Sequence, residues 1–98
     1  MLMLTGEVRK VLNSDYTDRK SGQVIRQCVL VLEPTNKRQN YEIYLNNKQI
    51  LGGAATKYEK MKGQTVTVEV SLYVNHQHNF HKFSAVGDAL PKGASSNV

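Results

Sequence analysis

A small, mostly β domain with one short helix is the fold that the sequence predicts, and three observations predict it. Apolar and polar residues alternate with a two-residue period in several separate runs, most cleanly in QTVTVEVSLYV at 64–74. The runs are divided by clusters of Asn, Ser, Asp, Gly and Pro, which bond locally to the backbone or tolerate turn geometry. A single segment, 46–63, drops that period and places its apolar residues at helical spacing.

In chain order, the first strand is LMLTGEVRKVL at 2–12, where Leu2, Leu4, Gly6 and Val8 alternate with Met3, Thr5, Glu7 and Arg9. NSDYTDRKSG at 13–22 reads as a loop carrying Tyr16, Arg19 and Lys20. QVIRQCVLVLE at 23–33 is a second strand with Val24, Cys28, Leu30 and Leu32 on one face, ended by the proline and polar turn of PTNKRQ. NYEIYL at 40–45 is a third, with Tyr41, Ile43 and Leu45 facing one way and Glu42 and Tyr44 the other.

The helix follows. Ile50, Ala54, Tyr58 and Met61 recur at its spacing, Lys57, Lys60 and Lys62 gather in its last turn, and Gly63 stands at the expected C-terminal cap. Gly52 and Gly53 would each cost about 1 kcal/mol inside it, so its regular part is expected to begin after them. In the fourth strand Val66, Val68, Val70, Leu72 and Val74 alternate with Thr65, Thr67, Glu69, Ser71 and Tyr73. NHQHN makes a turn and FHKFSAV at 80–86 a fifth strand; GDALPKGASSNV then loses all period. The expected organisation is one domain over 1–87 with a flexible tail over 88–98.

Ninety-eight residues suffice for one domain with a small core. Thirteen Lys and Arg against eight Asp and Glu leave a formal charge of +5, which favours nucleic acid or acidic partners. Cys28 is the only cysteine, so an intrachain disulfide is excluded; within CVLVL it reads as a small buried side chain in a reducing compartment. The N-terminus has no long apolar core and no run of about eighteen apolar residues exists, so neither a signal peptide nor a membrane span is expected.

Strand, strand, strand, helix, strand, strand, with basic loops between the first pair and the last pair, resembles an OB-fold. The resemblance covers about residues 2–86. It implies a five-stranded antiparallel barrel, a helix between strands 3 and 4 plugging one end, and a bend in the first strand that Gly6 is placed to allow. The size, the basic build and the absence of catalytic inserts are similar to small single-stranded DNA-binding proteins of phages, plasmids and bacteria. That implies non-catalytic, largely sequence-independent binding in support of DNA replication or recombination, without a cofactor, in the cytoplasm of a bacterium or a phage-infected cell. A homodimer or higher oligomer is expected from the exposed strand edges of a small basic barrel. Two departures stand out: the helix after the third strand is unusual for the filamentous-phage kind, and ASSNV lacks the acidic, Phe-terminated tail of the bacterial housekeeping kind.

Single-strand binding requires cations along a phosphate path and aromatic faces on which bases stack. Tyr44 and Tyr73 lie opposite the apolar faces of their strands, toward solvent, where they stack on bases or else cover a barrel end or a dimer contact. Tyr41 and Tyr58 are assigned to the core. Tyr16 either clamps a base, with Arg19 and Lys20 on phosphates, or folds back on the barrel. Arg26 interrupts the buried face of the second strand, which points it toward the groove between strands two and three where OB-folds bind ligands; Arg9 and Lys10 line the neighbouring strand. Any one of these cations is equally a solvated surface group, and only their clustering suggests more.

All three histidines fall in YVNHQHNFHKF at 73–83. His76, His78 and His81 offer three nitrogens to a metal, yet no carboxylate or second cysteine is close in sequence. Catalysis lacks a serine elbow, a cysteine dyad or a carboxylate pair, and GGAATK lacks P-loop spacing. The preferred reading is a hairpin tip that grips a polyanion: His78 with neighbouring Asn and Gln donating hydrogen bonds, Phe80 or Phe83 stacking, Lys82 adding charge, and the histidines adding affinity below about pH 6.5. Strand parity makes one phenylalanine core and the other exposed without saying which. An OB-fold protein-interaction adaptor, RNA binding and a metal-dependent enzyme are the alternatives; no recognition helix supports duplex reading.

Overall fold

A computed structural model describes residues 2–35 and 38–92. The chain is mostly β: β1 (Leu2–Asn13), β2 (Tyr16–Thr17), β3 (Val24–Ile25), β4 (Cys28–Glu33), β5 (Tyr41–Leu45), α1 (Asn47–Leu51), α2 (Ala54–Lys60), β6 (Thr65–Asn75) and β7 (Phe80–Ala85). β2 and β3 form a separate two-stranded ribbon. The other five strands close on themselves in the order β1-β4-β5-β7-β6.

β1 makes that closure. Its first half pairs with β6, from Leu2 opposite Val70 to Glu7 opposite Thr65, and its second half pairs with β4, from Glu7 opposite Glu33 to Asn13 opposite Cys28. Gly6 sits at the changeover, where an added Cβ would come within 2.9 Å of the Glu33 carbonyl oxygen and 3.1 Å of the Leu32 Cβ. Only a residue without a side chain lets the two strands approach so closely. The bend expected at Gly6 is accompanied by a register shift between Val8 and Lys10, a β-bulge of the kind that sharpens twist and helps a sheet curl shut.

The expectation of a wholly antiparallel sheet is corrected: β5 and β7 run parallel, Ile43 opposite Phe83 and Tyr44 opposite Ser84. Parity requires this. Neighbours in a ring of five strands cannot all alternate in direction, so one pair must run the same way.

Inside the ring lie Leu4 and Val8 of β1, Leu30 and Leu32 of β4, Ile43 and Leu45 of β5, and Val66, Val68 and Val70 of β6, the inward positions of the two-residue period. Tyr58 of α2 is fully buried among them and donates its hydroxyl to the Ala89 carbonyl at 2.6 Å.

The single expected helix is two. α1 begins before the glycine pair because Asn46 and Gln49 form a capping box, each side chain bonded at 2.8 Å to the other's backbone N–H. Gly53, at φ +96°, then turns the chain in the left-handed region so that α2 can start anew. Gln49 is nearly buried and its amide also donates to the Ala85 and Gly87 carbonyls at 2.8 and 3.2 Å, tying α1 to the end of β7.

Two further expectations change. The second strand divides at Arg26 and Gln27, so Val24 belongs to the ribbon and is 70% exposed rather than on the core face. The expected tail from 88 begins packed: Ala89 is buried, and Lys92 bridges back to Thr67, its N–H donating to the Thr67 carbonyl. The remainder of that tail, 93–98, lies outside the described residues. No helix among the described residues is long and apolar enough to cross a membrane.

Two substitutions test this account. Gly6→Ala should lower stability by about 1–3 kcal/mol in urea unfolding, because the atoms its methyl meets are mostly backbone and cannot swing aside. For Tyr58, burial first and the Asp88 charge second raise the phenol above its ordinary 10.0, so the folded chain keeps a proton that the unfolded chain releases. That contribution is complete below about pH 10 and is lost as the pH rises toward the folded value. Tyr58→Phe should therefore cost about 1 kcal/mol at neutral pH, through the lost hydrogen bond, and should make the fall of stability above pH 10 shallower.

Candidate nucleic-acid interface

The outward positions of β1, β4, β5 and β7 form one surface. Register sets Leu12, Val29, Tyr44 and Ser84 in a row across it, with Lys10 and Val31 in the row on one side. On that same side Lys82 of β7 stands opposite Tyr73 of β6, and Phe80, further along, opposite Asn75. Val29 and Val31 are almost buried, giving the surface an apolar floor.

Aromatic rings and a cation meet at its centre. The Lys82 ammonium lies over the Tyr44 ring, 4.4 Å from the centroid, a cation–π contact. Tyr73 and Phe80, 55% and 47% exposed, pack edge to face with centroids 6.4 Å apart. Phe83 resolves the parity question: it faces inward, half-buried, with its ring edge-on to Tyr41 at 6.0 Å and to His81 at 5.9 Å. Phe80 is the exposed phenylalanine.

Where β5 and β7 separate, ahead of their two paired positions, a cleft of about 530 Å³ opens, lined by aromatic rings of both strands and by Gln39, Asn40 and Glu42. Its lining also includes His81, one of the three clustered histidines; Gln39, Asn40 and Glu42 were not singled out from sequence. Tyr41 was read as core by alternation, and it does pack on the core while also walling the cleft. Alternation assigns faces within a strand but says nothing of where two strands part.

The β6–β7 hairpin projects beyond the barrel, so Leu72 and Val74, on the inward face of β6, are exposed along with Tyr73. Its turn is set by Asn75, whose side-chain oxygen accepts from the His78 N–H at 3.2 Å, and by Asn79 at φ +51°. His76 and His78 are exposed there, while His81 lies back along β7 opposite Val74. Among the described residues no group of three or more His, Cys, Asp or Glu is placed to hold a metal ion.

The β1–β4 connection, expected as a plain loop, is the β2–β3 ribbon. Tyr16 stands on it opposite Ile25, 51% exposed. Asp18 builds its tip: one carboxylate oxygen accepts from the Lys20 N–H at 3.0 Å and the other from the Ser21 hydroxyl at 3.1 Å, leaving Arg19 and Lys20 exposed on a defined turn. Arg26 is exposed between β3 and β4. Arg9 differs from the other candidates, because it bonds Glu7 at 3.1 Å and Glu33 at 3.2 Å, two carboxylates that more than offset its charge. Cys28 is half-buried, and burial first, then the Asp15 carboxylate, raise its thiol, which suits packing and not nucleophilic chemistry.

Comparison with known proteins finds no family model that matches the chain and no curated protein similar to it.

The geometry separates exposed from structural aromatics. In thermal melts Tyr73→Ala should stay within about 0.5 kcal/mol of the parent, whereas Phe83→Ala should lose about 2 kcal/mol, less than the roughly 3–5 kcal/mol of a fully buried ring.

Proposed function

We propose that the barrel is an OB-fold and that the chain binds single-stranded DNA without catalysing a reaction, in support of replication or recombination. The observation that carries this reading is the strip formed by Tyr44, Lys82, Tyr73 and Phe80: exposed or half-exposed rings interleaved with a cation on the outward face. Bases stack on such rings whatever their identity, while lysines and arginines track the phosphates. The fold assignment is supported by the closed five-strand order and by the helices between its third and fourth strands. OB-folds bind oligonucleotides on the face of strands two and three and with the loops joining strands one to two and four to five. The corresponding parts here are the outer face of β4 and β5, the ribbon bearing Tyr16, Arg19 and Lys20, and the turn bearing His78.

In this reading Lys82 leaves the Tyr44 ring for a phosphate when a base takes its place. Lys10 and Arg26 extend the cationic path, and Arg9 contributes little because Glu7 and Glu33 hold it. Self-association is part of the proposal. Among the described residues, 71–75 of β6 pair only with β7 and leave one edge open for a second copy.

The test is fluorescence anisotropy of a labelled mixed-sequence single strand against a duplex of equal length, at low and moderate salt. The single strand should bind more tightly and with strong salt dependence. Tyr44→Ala and Tyr73→Ala should each lose about 1–3 kcal/mol of affinity, and Lys20→Ala should flatten the salt dependence. Equal binding of both forms, or none, overturns the reading in favour of a protein-interaction adaptor; tighter binding of an RNA strand of the same sequence reassigns the ligand.

A further inference from the structure

The cleft at the β5–β7 fork has a different character from the strip beside it. Its walls are the rings of Tyr41, Tyr44, Phe80 and Phe83 with the imidazole of His81, and its volume of about 530 Å³ falls in the range of small-molecule sites, roughly 300–1,000 Å³. No lysine or arginine lines it among the described residues; its one carboxylate is Glu42, which forms no ion pair among them. Its one fixed charge, on Glu42, disfavours a phosphate. A flat, uncharged ring meets no such repulsion.

We propose that this cleft takes one nucleobase turned off the strand, and that Glu42 selects a base carrying an exocyclic amine over thymine. The inference rests on the single-strand reading above and adds a specificity determinant to an otherwise sequence-tolerant surface. Cytosine N4, adenine N6 and guanine N2 are donors that a carboxylate accepts well, whereas thymine offers carbonyl oxygens at its exocyclic positions. The side-chain amides of Gln39 and Asn40, at the same rim, each carry a donor and an acceptor for the remaining base edge. Lys82, on the Tyr44 ring, stands where the phosphate joining the inserted base to its stacked neighbour would pass.

A carboxylate on a surface that binds a polyanion weakens binding unless it does something for the ligand, and among the described residues Glu42 forms no ion pair, unlike Glu7, Glu33 and Glu59; Lys82, the nearest cation by register, lies on the Tyr44 ring instead. It is exposed, so exchanging it for the neutral isostere does not strain the fold.

The experiment compares oligo-dC with oligo-dT of one length by anisotropy at one moderate salt concentration, for the parent and for Glu42→Gln, with circular dichroism to verify folding. Two pyrimidine strands keep stacking area nearly matched. The parent should bind oligo-dC about tenfold more tightly, as expected for a charged acceptor on a base donor. Glu42→Gln should bring the ratio close to one, weakening oligo-dC and strengthening oligo-dT by removing a repulsion. Equal affinities in the parent, or a ratio unchanged in Glu42→Gln, overturn the base selection and leave single-strand binding standing. Failure of either strand to bind at low salt overturns both.

Discussion

The close crossing at Gly6 is the constraint on which the rest of the molecule depends. One strand serves two neighbours only if it can pass from β6 to β4 with backbone almost touching backbone, and the 2.9 Å that a Cβ would find there leaves room for hydrogen alone. Closure follows, and with it a core in which the inward residues of all five strands meet around Tyr58. A sheet of this size left open would expose two long edges and half an apolar face, which a chain of 98 residues has little means to cover.

Much of this was legible because the two-residue period is a direct image of the pleat. Val66, Val68 and Val70 announce their own burial, and Leu30, Leu32, Ile43 and Leu45 do the same. The pattern misleads where the strand outlasts the barrel. Leu72 and Val74 continue the apolar face of β6 into solvent, since periodicity records which side a residue takes and not whether anything stands opposite. The β2–β3 ribbon was hidden for another reason: it is held by side chains such as Asp18 and Asp15 bonding to backbone, interactions that leave no hydrophobic signature. The start of α1 was missed, because the cost of the glycine pair outweighed the capping pair Asn46 and Gln49 in the reading, and the tie from Gln49 to β7 spans 36 residues.

Site residues divide along similar lines. Tyr44 and Tyr73 are outward by alternation and outward in the structure, and Lys82 shares their face by register. Charge is harder to read. Arg9 looks no different from Lys10 in sequence, yet the bulge between Val8 and Lys10 brings it to Glu7 and Glu33, themselves cross-strand partners. Those two carboxylates would repel each other across the ladder, and Arg9 relieves the repulsion. A cation that answers a structural need of this kind looks free in sequence, and only long-range pairing reveals that it is not.

The cleft follows from the same closure. Five strands in a ring require one parallel pair, and β5 and β7, which supply it, are matched at two positions only. Each approaches that contact from a different direction, β5 from the connection after β4 and β7 from the projecting hairpin, so their N-terminal stretches diverge. Residues that would have faced a neighbouring strand, Tyr41 and Phe83 from within and Tyr44 and Phe80 from without, instead face a gap. The odd strand count that denies the barrel complete antiparallel pairing is therefore what opens an aromatic recess beside the strip of Tyr44, Lys82, Tyr73 and Phe80. Any ring lodged there is held by groups whose positions the core already fixes, because Phe83 packs on the core and Tyr41 on Phe83. Preorganisation of that sort lowers the entropy lost on binding.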